Sequence, residues 1–591
     1  MTQLFEPEGP ADWRLVAGAT GLLGEFNRAG VLEAADVHVA QRLGSLAGEG
    51  DQSVLLAVAL AVRGVRNGSV CVDLASVREV GVADPESGQV VDLPWPEADA
   101  WRDGVAGSAL VEQGAVRFED GLLYLDRYHR LEEQVADDLL ARTGQSPPEV
   151  DEPALAAAVA RVRSDRLSPE QEASVVAVAR QWTTVLTGGP GTGKTTTVAR
   201  MLAVLVDQAH ARGERLSVAL TAPTGKAAAR LQEAVNLEAA RLDRLDRDRL
   251  PHTDAMTLHR LLGWRPDNST RFRHHRGNRL KYDVVVVDEC SMVDLTLMAR
   301  LLEAVRDNAR LILVGDPGQL TSVGAGAVLG DVVDGFDAGE ASPVAALTHN
   351  YRSTRDILAL ADALRARDPD AVVDVLRRPS EEVLWVEEAD PVEAVRPDAL
   401  ACALAVHEAA VAGDPEAAVA ALETHRLLCA HREGPQGVRR WNTLVEDWLA
   451  EETGQEIWSE WYPGRPFLVT TNDYALKIYN GESGVAVLTP DGTLRAWVAG
   501  ADGLLEFSPG RLDAVETLHA TTIHKAQGSQ ADTVTLLLPP QGSRLLTNEL
   551  FYTAVTRAKT FVRVVGPEAA VRAAVATRAQ RASGLRGRLA R

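Results

Sequence analysis

Lysine is nearly missing from this chain of 591 residues: of 61 basic side chains six are lysine, and the other 55 are arginine. Cysteine is scarce too. Cys71, Cys290, Cys402 and Cys429 lie far apart with no CxxC pair, which argues against a disulfide framework or a zinc knuckle. The longest unbroken apolar run, Val54 to Val62, is nine residues, too short to cross a bilayer. Met1 to Trp13 lack a basic stretch followed by an apolar one, so nothing there marks a secretory leader. Aromatics make up only 5%, beside 46% hydrophobic and 24% charged residues, a soluble globular profile. At roughly 150 residues per domain the length suggests about four structural units. The expectation is a cytoplasmic enzyme or subunit with no membrane attachment.

Positive charge is also in deficit, and unevenly so. The formal net charge is −22, which argues against a protein that coats nucleic acid with a uniform basic surface. Residues 1–165 hold 28 acidic and 13 basic side chains, a balance of −15, which leaves −7 for the remaining 426 residues. If the chain binds a polyanion, the binding face should lie in the later part. The few lysines (Lys194, Lys226, Lys281, Lys477, Lys525 and Lys559) mark candidate sites where a compact ammonium is needed rather than a planar fork.

The pattern along the chain reads as an α/β fold. Residues 1–110 read as a mainly helical N-terminal domain, and 111–165 as a connecting helix and a Pro- and acid-rich linker. From 166 to 335, short β-branched runs (Thr184–Thr187, Val218–Thr221, Val284–Val287, Leu311–Val314) alternate with helices, as in a parallel sheet. A second such set covers 336–431 and 516–575, with Leu427–Ala430, Val534–Leu538 and Phe561–Val565 as strands. A small β-rich insertion at 432–515 interrupts it, and 576–591 reads as an Arg-rich, frayed, solvated tail.

What is present is a nucleotide signature. Gly188-Gly189-Pro190-Gly191-Thr192-Gly193-Lys194-Thr195, followed by Thr196, matches the phosphate loop G-x-x-x-x-G-K-[ST] between a strand and a helix. The glycines let backbone N–H groups close around phosphate, Lys194 suits the β and γ phosphates, and the Thr195 hydroxyl suits Mg²⁺. Val284–Val287 runs into Asp288, placed to hold Mg²⁺, and Glu289, placed to polarise the attacking water. Leu311–Val314 delivers Gln319, a candidate γ-phosphate sensor. Gln171 has two readings. It completes a capping box with Ser168 and Pro169, and it lies where many helicases keep a glutamine that reads adenine. Arg352 and Arg557 sit in the second α/β set, from which a cleft would bring them to the γ-phosphate.

Taken in order, LSPEQ (167–171), GGPGTGKT (188–195), LTAPTGKAAARL (220–231), TLHRLLG (257–263), VVVVDECSMVD (284–294), GDPGQLTSVGAGAVL (315–329), NYRS (350–353), ATTIHKAQGSQAD (520–532) and FYTAVTRAK (551–559) resemble superfamily-one helicases. Among these the chain is most similar to the RecD subunits of the RecBCD helicase-nuclease, exodeoxyribonuclease V. RFRHHRGNRLKYD (271–283) and LLCAHREGPQGVRRWN (427–442) strengthen that likeness. It covers about 165–566, and four of the six lysines fall inside these strings.

The resemblance implies two RecA-like motor domains gripping single-stranded DNA, and an ATP- and Mg²⁺-dependent 5′-to-3′ helicase acting in double-strand break repair by recombination. It also implies assembly with RecB-like and RecC-like subunits, a partner supplying the nuclease. Thr224, Lys226, His259, Thr522, His524 and Lys525 become candidates for backbone contact with DNA. Arg271 to Lys281 fits a DNA-facing patch or a solvated hairpin. The acidic N-terminal domain fits a partner-docking surface or a helical cap. A stand-alone RecD-like helicase and an ATP-binding regulatory subunit are the competing readings.

Overall fold

Four valines in a row, Val284–Val287, can all be buried only in a strand covered on both faces, and all four are. Val284 and Val286 pack toward Val198, Leu202 and Leu205 of the helix Lys194–Ala211. Val285 and Val287 pack the other way, toward Met298 and Leu302 of the helix Leu295–Ala304. The two-residue period of the strand makes this division. The computed structural model describes residues 12–78, 93–163, 167–265, 268–322, 324–336, 342–351, 354–387, 390–473, 475–500, 503–579 and 581–591. Among these, no helix is long and apolar enough to cross a membrane.

The N-terminal region combines the helices Gly21–Arg28, Ala34–Ala47, Gln52–Arg66 and Ala98–Ala106 with a small antiparallel sheet. Its strands are β1 (Cys71–Asp73), β2 (Val116–Glu119) and β3 (Leu122–Leu125), in the order β1-β3-β2. This core of Leu23, Phe26, Leu56, Trp101 and Leu123 therefore closes beyond residue 110, and it is not purely helical. The helix Asp126–Thr143 leaves it and lays Leu131, Val135 and Leu139 on the first motor sheet.

That sheet is parallel throughout, in the order β11-β4-β10-β9-β5-β6. It comprises β4 (Thr183–Gly188), β5 (Val218–Ala222), β6 (Met256–Thr257), β9 (Val284–Val287), β10 (Arg310–Gly315) and β11 (Val344–Leu347). A hairpin of β7 (Trp264–Arg265) and β8 (Asn268–Phe272) projects from it, so the basic string begins on a strand. Because β11 pairs with β4, the first body runs past 335, and Asn350 and Tyr351 leave its edge strand, not the second set.

The second sheet is also parallel, in the order β12-β21-β20-β13-β19. Its strands are β12 (Val383–Val386), β13 (His425–Cys429), β19 (Ala520–Thr522), β20 (Ala531–Leu537) and β21 (Ala558–Val565). The insertion is shorter than expected from residue 432. Residues Val438–Thr453 form a helix whose Trp441, Val445 and Trp448 pack into the second motor core. The five-stranded antiparallel sheet, ordered β17-β16-β15-β14-β18, starts only at Pro466. Its strands are β14 (Pro466–Val469), β15 (Ser483–Leu488), β16 (Leu494–Gly500), β17 (Gly503–Phe507) and β18 (Val515–Thr517).

The Arg-rich C-terminus departs furthest from expectation. It is docked, not frayed. Leu585 and Leu589 are buried beside the helices Val328–Gly335 and Asp126–Thr143. Glu132, fully buried, accepts from Tyr124 Oη (3.0 Å), Ser583 Oγ (3.0 Å), the Gly584 N–H (3.0 Å) and Arg588 Nε (3.1 Å). The Ala582 carbonyl accepts the Val70 N–H (2.8 Å), and Arg581 Nη1 donates to the Gly324 carbonyl (2.7 Å). Uniform charge in the sequence concealed two apolar anchors and a buried carboxylate that needs a cation.

Replacing Arg588 by Ala should therefore destabilise the docked tail by about 3 kcal/mol, because it strands the buried Glu132 charge. Urea unfolding followed by tryptophan fluorescence would read it. The second prediction concerns acid. Burial, then the charge of Arg426, pushes His425 down to about 3, and burial with Arg465 does the same to His519. Both are held neutral, against Thr535 Oγ1 (3.0 Å) and Tyr462 Oη (2.8 Å) respectively. Folding thus opposes their protonation, so stability is full above about pH 6.5. It should fall as the pH drops toward 3, by about 1.4 kcal/mol per pH unit for each.

Candidate nucleotide site and interdomain cleft

The loop after β4 is shaped for phosphate by its backbone. Gly191 and Gly193 take φ of +84° and +79°, and the helix Lys194–Ala211 begins directly after them. A Cβ on Gly193 would also stand 2.5 Å from Gln171 Nε2. Lys194 Nζ curls over the loop and donates to the carbonyls of Gly188 (2.7 Å) and Gly189 (2.9 Å). Thr192 Oγ1 donates to Gly189 O (2.9 Å), while Thr195 and Thr196 open the helix. The loop is braced from behind: Asn350 Nδ2 donates to Pro190 O (2.7 Å) and the Tyr351 N–H to Gly191 O (2.9 Å). Arg352 lies outside the described residues.

The capping reading of Gln171 holds, and the same side chain reaches the phosphate loop. Its Oε1 accepts the Ser168 N–H (3.1 Å) in a capping box, and its Nε2 donates to the Thr192 carbonyl (3.1 Å). The cap is thus tied to the phosphate loop, with Tyr351 Oη at 3.5 Å from Gln171 Oε1.

At the end of β9 the two carboxylates stand in different settings. Burial pushes Asp288 up to about 7, the Glu289 charge adds to this, and Lys194 acts against it. Its Oδ1 accepts only one backbone donor among the described bonds, the Glu289 N–H at 2.9 Å. Glu289 takes the left-handed conformation, φ +50°, which turns the chain sharply where β9 ends. A buried carboxyl beside a lysine and a threonine-bearing helix start has the donor chemistry for Mg²⁺ on a nucleotide.

From here a hydrogen-bonded chain crosses between the two bodies. Arg557 Nη2 donates to Gln319 Oε1 (3.0 Å), and Gln319 Nε2 to Asp316 Oδ2 (3.0 Å). Tyr552 Oη donates to the same Asp316 Oδ2 (3.1 Å) and accepts from Arg365 Nη2 (2.6 Å). Arg557 is buried, which lowers its pKa, and Glu289 and Asp316 favour its charge. Beside this chain, the Leu320 N–H donates to Thr553 Oγ1 (2.8 Å) and Gln527 Nε2 to Leu320 O (2.7 Å). Sequence reasoning named Gln319 and Arg557 but missed their linkers. Asp316 and Tyr552 lie inside motif strings and could have been found there; Arg365 is one arginine of 55 and carries no signal.

The other candidates gather where the helix Gly225–Arg241 meets the second body. Thr224 caps that helix through the Ala227 N–H (3.2 Å), and Arg230 donates to the Gly528 carbonyl. Thr522 Oγ1 accepts the Lys525 N–H (3.3 Å). Two carboxylates of the insertion face these lysines. Lys525 Nζ pairs with Glu516 (2.5 Å), which also pairs with Arg432 (2.7 Å). Lys226, pushed down to about 7 by burial and by Arg426, faces Glu482, which burial pushes up to about 7. Tyr479 seals this side, since a Cβ on Gly225 would meet its Cβ at 2.6 Å. Burial lowers His524, with Arg581 as the nearby charge. His259 makes a separate set of contacts, packing on Phe272 at 5.8 Å between ring centroids and facing Asp294.

Known families match the chain in three stretches. These are "RecBCD enzyme subunit RecD, N-terminal domain" over residues 28–124, "AAA domain" over 171–325 and "UvrD-like helicase C-terminal domain" over 517–565. The chain is 55% identical to the RecBCD enzyme subunit RecD of Mycobacterium tuberculosis, over 97% of both chains. It is 57% identical to that of Mycolicibacterium smegmatis, over 95% of this chain and 98% of the relative. It is 33% identical to the ATP-dependent RecD2 DNA helicase of Deinococcus radiodurans, over 76% of this chain but 56% of that one.

Replacing Gln319 by Ala removes the acceptor at one end of the buried Arg557 and the donor to Asp316. It should cost about 2 kcal/mol, in line with a hydrogen bond to a buried charged group. Thermal unfolding of the variant beside wild type measures this.

Proposed function

This chain belongs to the RecD family of RecBCD subunits, and on that premise we propose how its residues serve an ATP-driven DNA helicase. The observation that carries the reading is the cleft itself. Arg557 of the second body donates to Gln319 of the first, and Arg365 and Tyr552 of the second body crowd Gly189 of the phosphate loop, so the loop lies at the junction of two bodies whose closing and opening would act on a bound nucleotide. We assign Lys194 and the backbone of Gly188–Thr196 to the phosphates, Gln171 to the adenine edge, and Thr195 with Asp288 to Mg²⁺. Bound ATP with Mg²⁺ supplies the phosphoryl group whose hydrolysis drives the motor. Glu289 takes the proton of the attacking water, Gln319 reads the γ-phosphate, and Arg352 and Arg557 stabilise the charge that develops on it. Closing the cleft also excludes water, which strengthens each of these contacts.

For DNA, Thr224 and Lys226 on the first body and Thr522, His524 and Lys525 on the second are the proposed backbone contacts, with His259 of the first body as a further, separate one. Thr and Lys bond phosphate without reading bases, as a translocating motor needs. The two domains then alternate grip on a single strand entering from a duplex end, moving 5′ to 3′. The reading places the protein in the cytoplasm, in double-strand break repair by recombination, with RecB-like and RecC-like partners and the nuclease on a partner. Near-complete coverage of the RecD relatives, against about half of the RecD2 helicase, supports the subunit reading over a stand-alone helicase.

Glu289→Gln should cut DNA-stimulated ATP hydrolysis at least about a hundredfold while leaving nucleotide binding intact. Duplexes carrying either a 5′ or a 3′ single-stranded tail test polarity directly, with the chain alone and with its partners. Unwinding of the 5′-tailed duplex is expected. Unwinding of only the 3′-tailed one would overturn the polarity, and full hydrolysis by Glu289→Gln the assignment of the base.

A further inference from the structure

Arg365 belongs to none of the motif strings, yet it reaches the phosphate loop. It comes from the last turn of the helix Arg355–Ala366 of the second body. A Cβ on Gly189 would stand 2.4 Å from Arg365 Nη2 and 3.0 Å from Tyr552 Oη. Lys194 Nζ donates to the carbonyl of this same Gly189 (2.9 Å). The end of a phosphate loop reached by its lysine ammonium is the β,γ-phosphate end. Two cations from opposite bodies therefore converge on one glycine at that end. Arg365 is also held in place. Its guanidinium donates to Tyr552 Oη (2.6 Å) and Asp362 (3.2 Å) and lies 5.5 Å from the Tyr552 ring centroid. Tyr552 is fixed in turn by Asp316, the carboxylate that also receives Gln319.

We propose that Arg365 is a further nucleotide-contacting arginine: it binds the terminal phosphate of ATP across the cleft, beside Lys194, and Tyr552 positions it. The assignment rests on the ATP-site reading above. It makes the domain closure specific for a triphosphate, because a diphosphate leaves the Arg365 fork without its acceptor. A planar fork suits this better than an ammonium, since it can bond a phosphate oxygen while keeping its bond to Tyr552.

Binding of a slowly hydrolysed ATP analogue and of ADP, each with Mg²⁺, to the full chain tests this by fluorescence competition. Arg365→Ala should weaken the triphosphate at least about tenfold and change ADP by less than about twofold. Arg365→Lys should restore part of the difference, and Tyr552→Phe should reduce it less than Arg365→Ala does. An equal loss for both nucleotides, or a loss for neither, overturns the proposal, because an arginine that only fastens the two bodies would not tell one from the other. Lys194→Ala is the control. If wild type and this variant both fail to bind any nucleotide, the ATP-site reading falls and not Arg365 alone.

Discussion

A buried guanidinium needs acceptors, and Arg557 finds two in its own body, the Thr553 and Ser529 carbonyls, and a third across the cleft, on Gln319. Much of the molecule follows from that need. The second parallel sheet must present the helix Asn548–Val555 so that Tyr552, Thr553 and Arg557 reach the loop after β10. The first sheet must end β10 at Gly315, so that Asp316 and Gln319 turn outward at the carboxyl edge. Both sheets are parallel, which gathers their loops at one edge, where α/β proteins place their ligands. The chain of bonds from Arg365 to Arg557 runs through Tyr552, Asp316 and Gln319, so displacing any one is felt by both bodies.

The same logic of paired charge governs the periphery. Glu132 is buried among Tyr124, Ser583, Gly584 and Arg588, which joins the helix Asp126–Thr143 to the last residues of the chain. Arg581 reaches Gly324 and Gly326 in the loop that follows Gln319, and the Gly326 N–H donates to Gly68 of the N-terminal region. The N-terminal region and the last residues of the chain thus meet at the loop that follows Gln319.

The insertion sheet adds a second electrostatic feature. Its Glu516 holds Lys525 and Arg432, and its Glu482 faces Lys226, so carboxylates stand where DNA phosphates are proposed to lie. For Lys525, exchange of Glu516 for a DNA phosphate would leave the ammonium paired in both states.

Local signals were enough for the nucleotide loop, the run Val284–Val287 with its two carboxylates, and the strands β4, β5, β10, β13, β20 and β21. Phosphate cradling and strand burial depend on neighbours a few residues apart, and spacing records those. Gln171 was legible as a cap for the same reason, whereas its bond to Thr192 was not. Arg365, Arg581 and Arg588 were not legible. Each is one of many arginines, and its role is set by a partner distant in sequence: Tyr552, Gly324 and Glu132. The edge strand Val344–Leu347 and the helix Val438–Thr453 were misplaced because their membership rests on which sheet they join. The sequence alone determined the chemistry of the loop, since backbone N–H groups, a lysine and two carboxylates act over a few ångströms of contiguous chain. Only the tertiary structure decided which charges meet, because burial makes pairing obligatory without specifying the partner in advance.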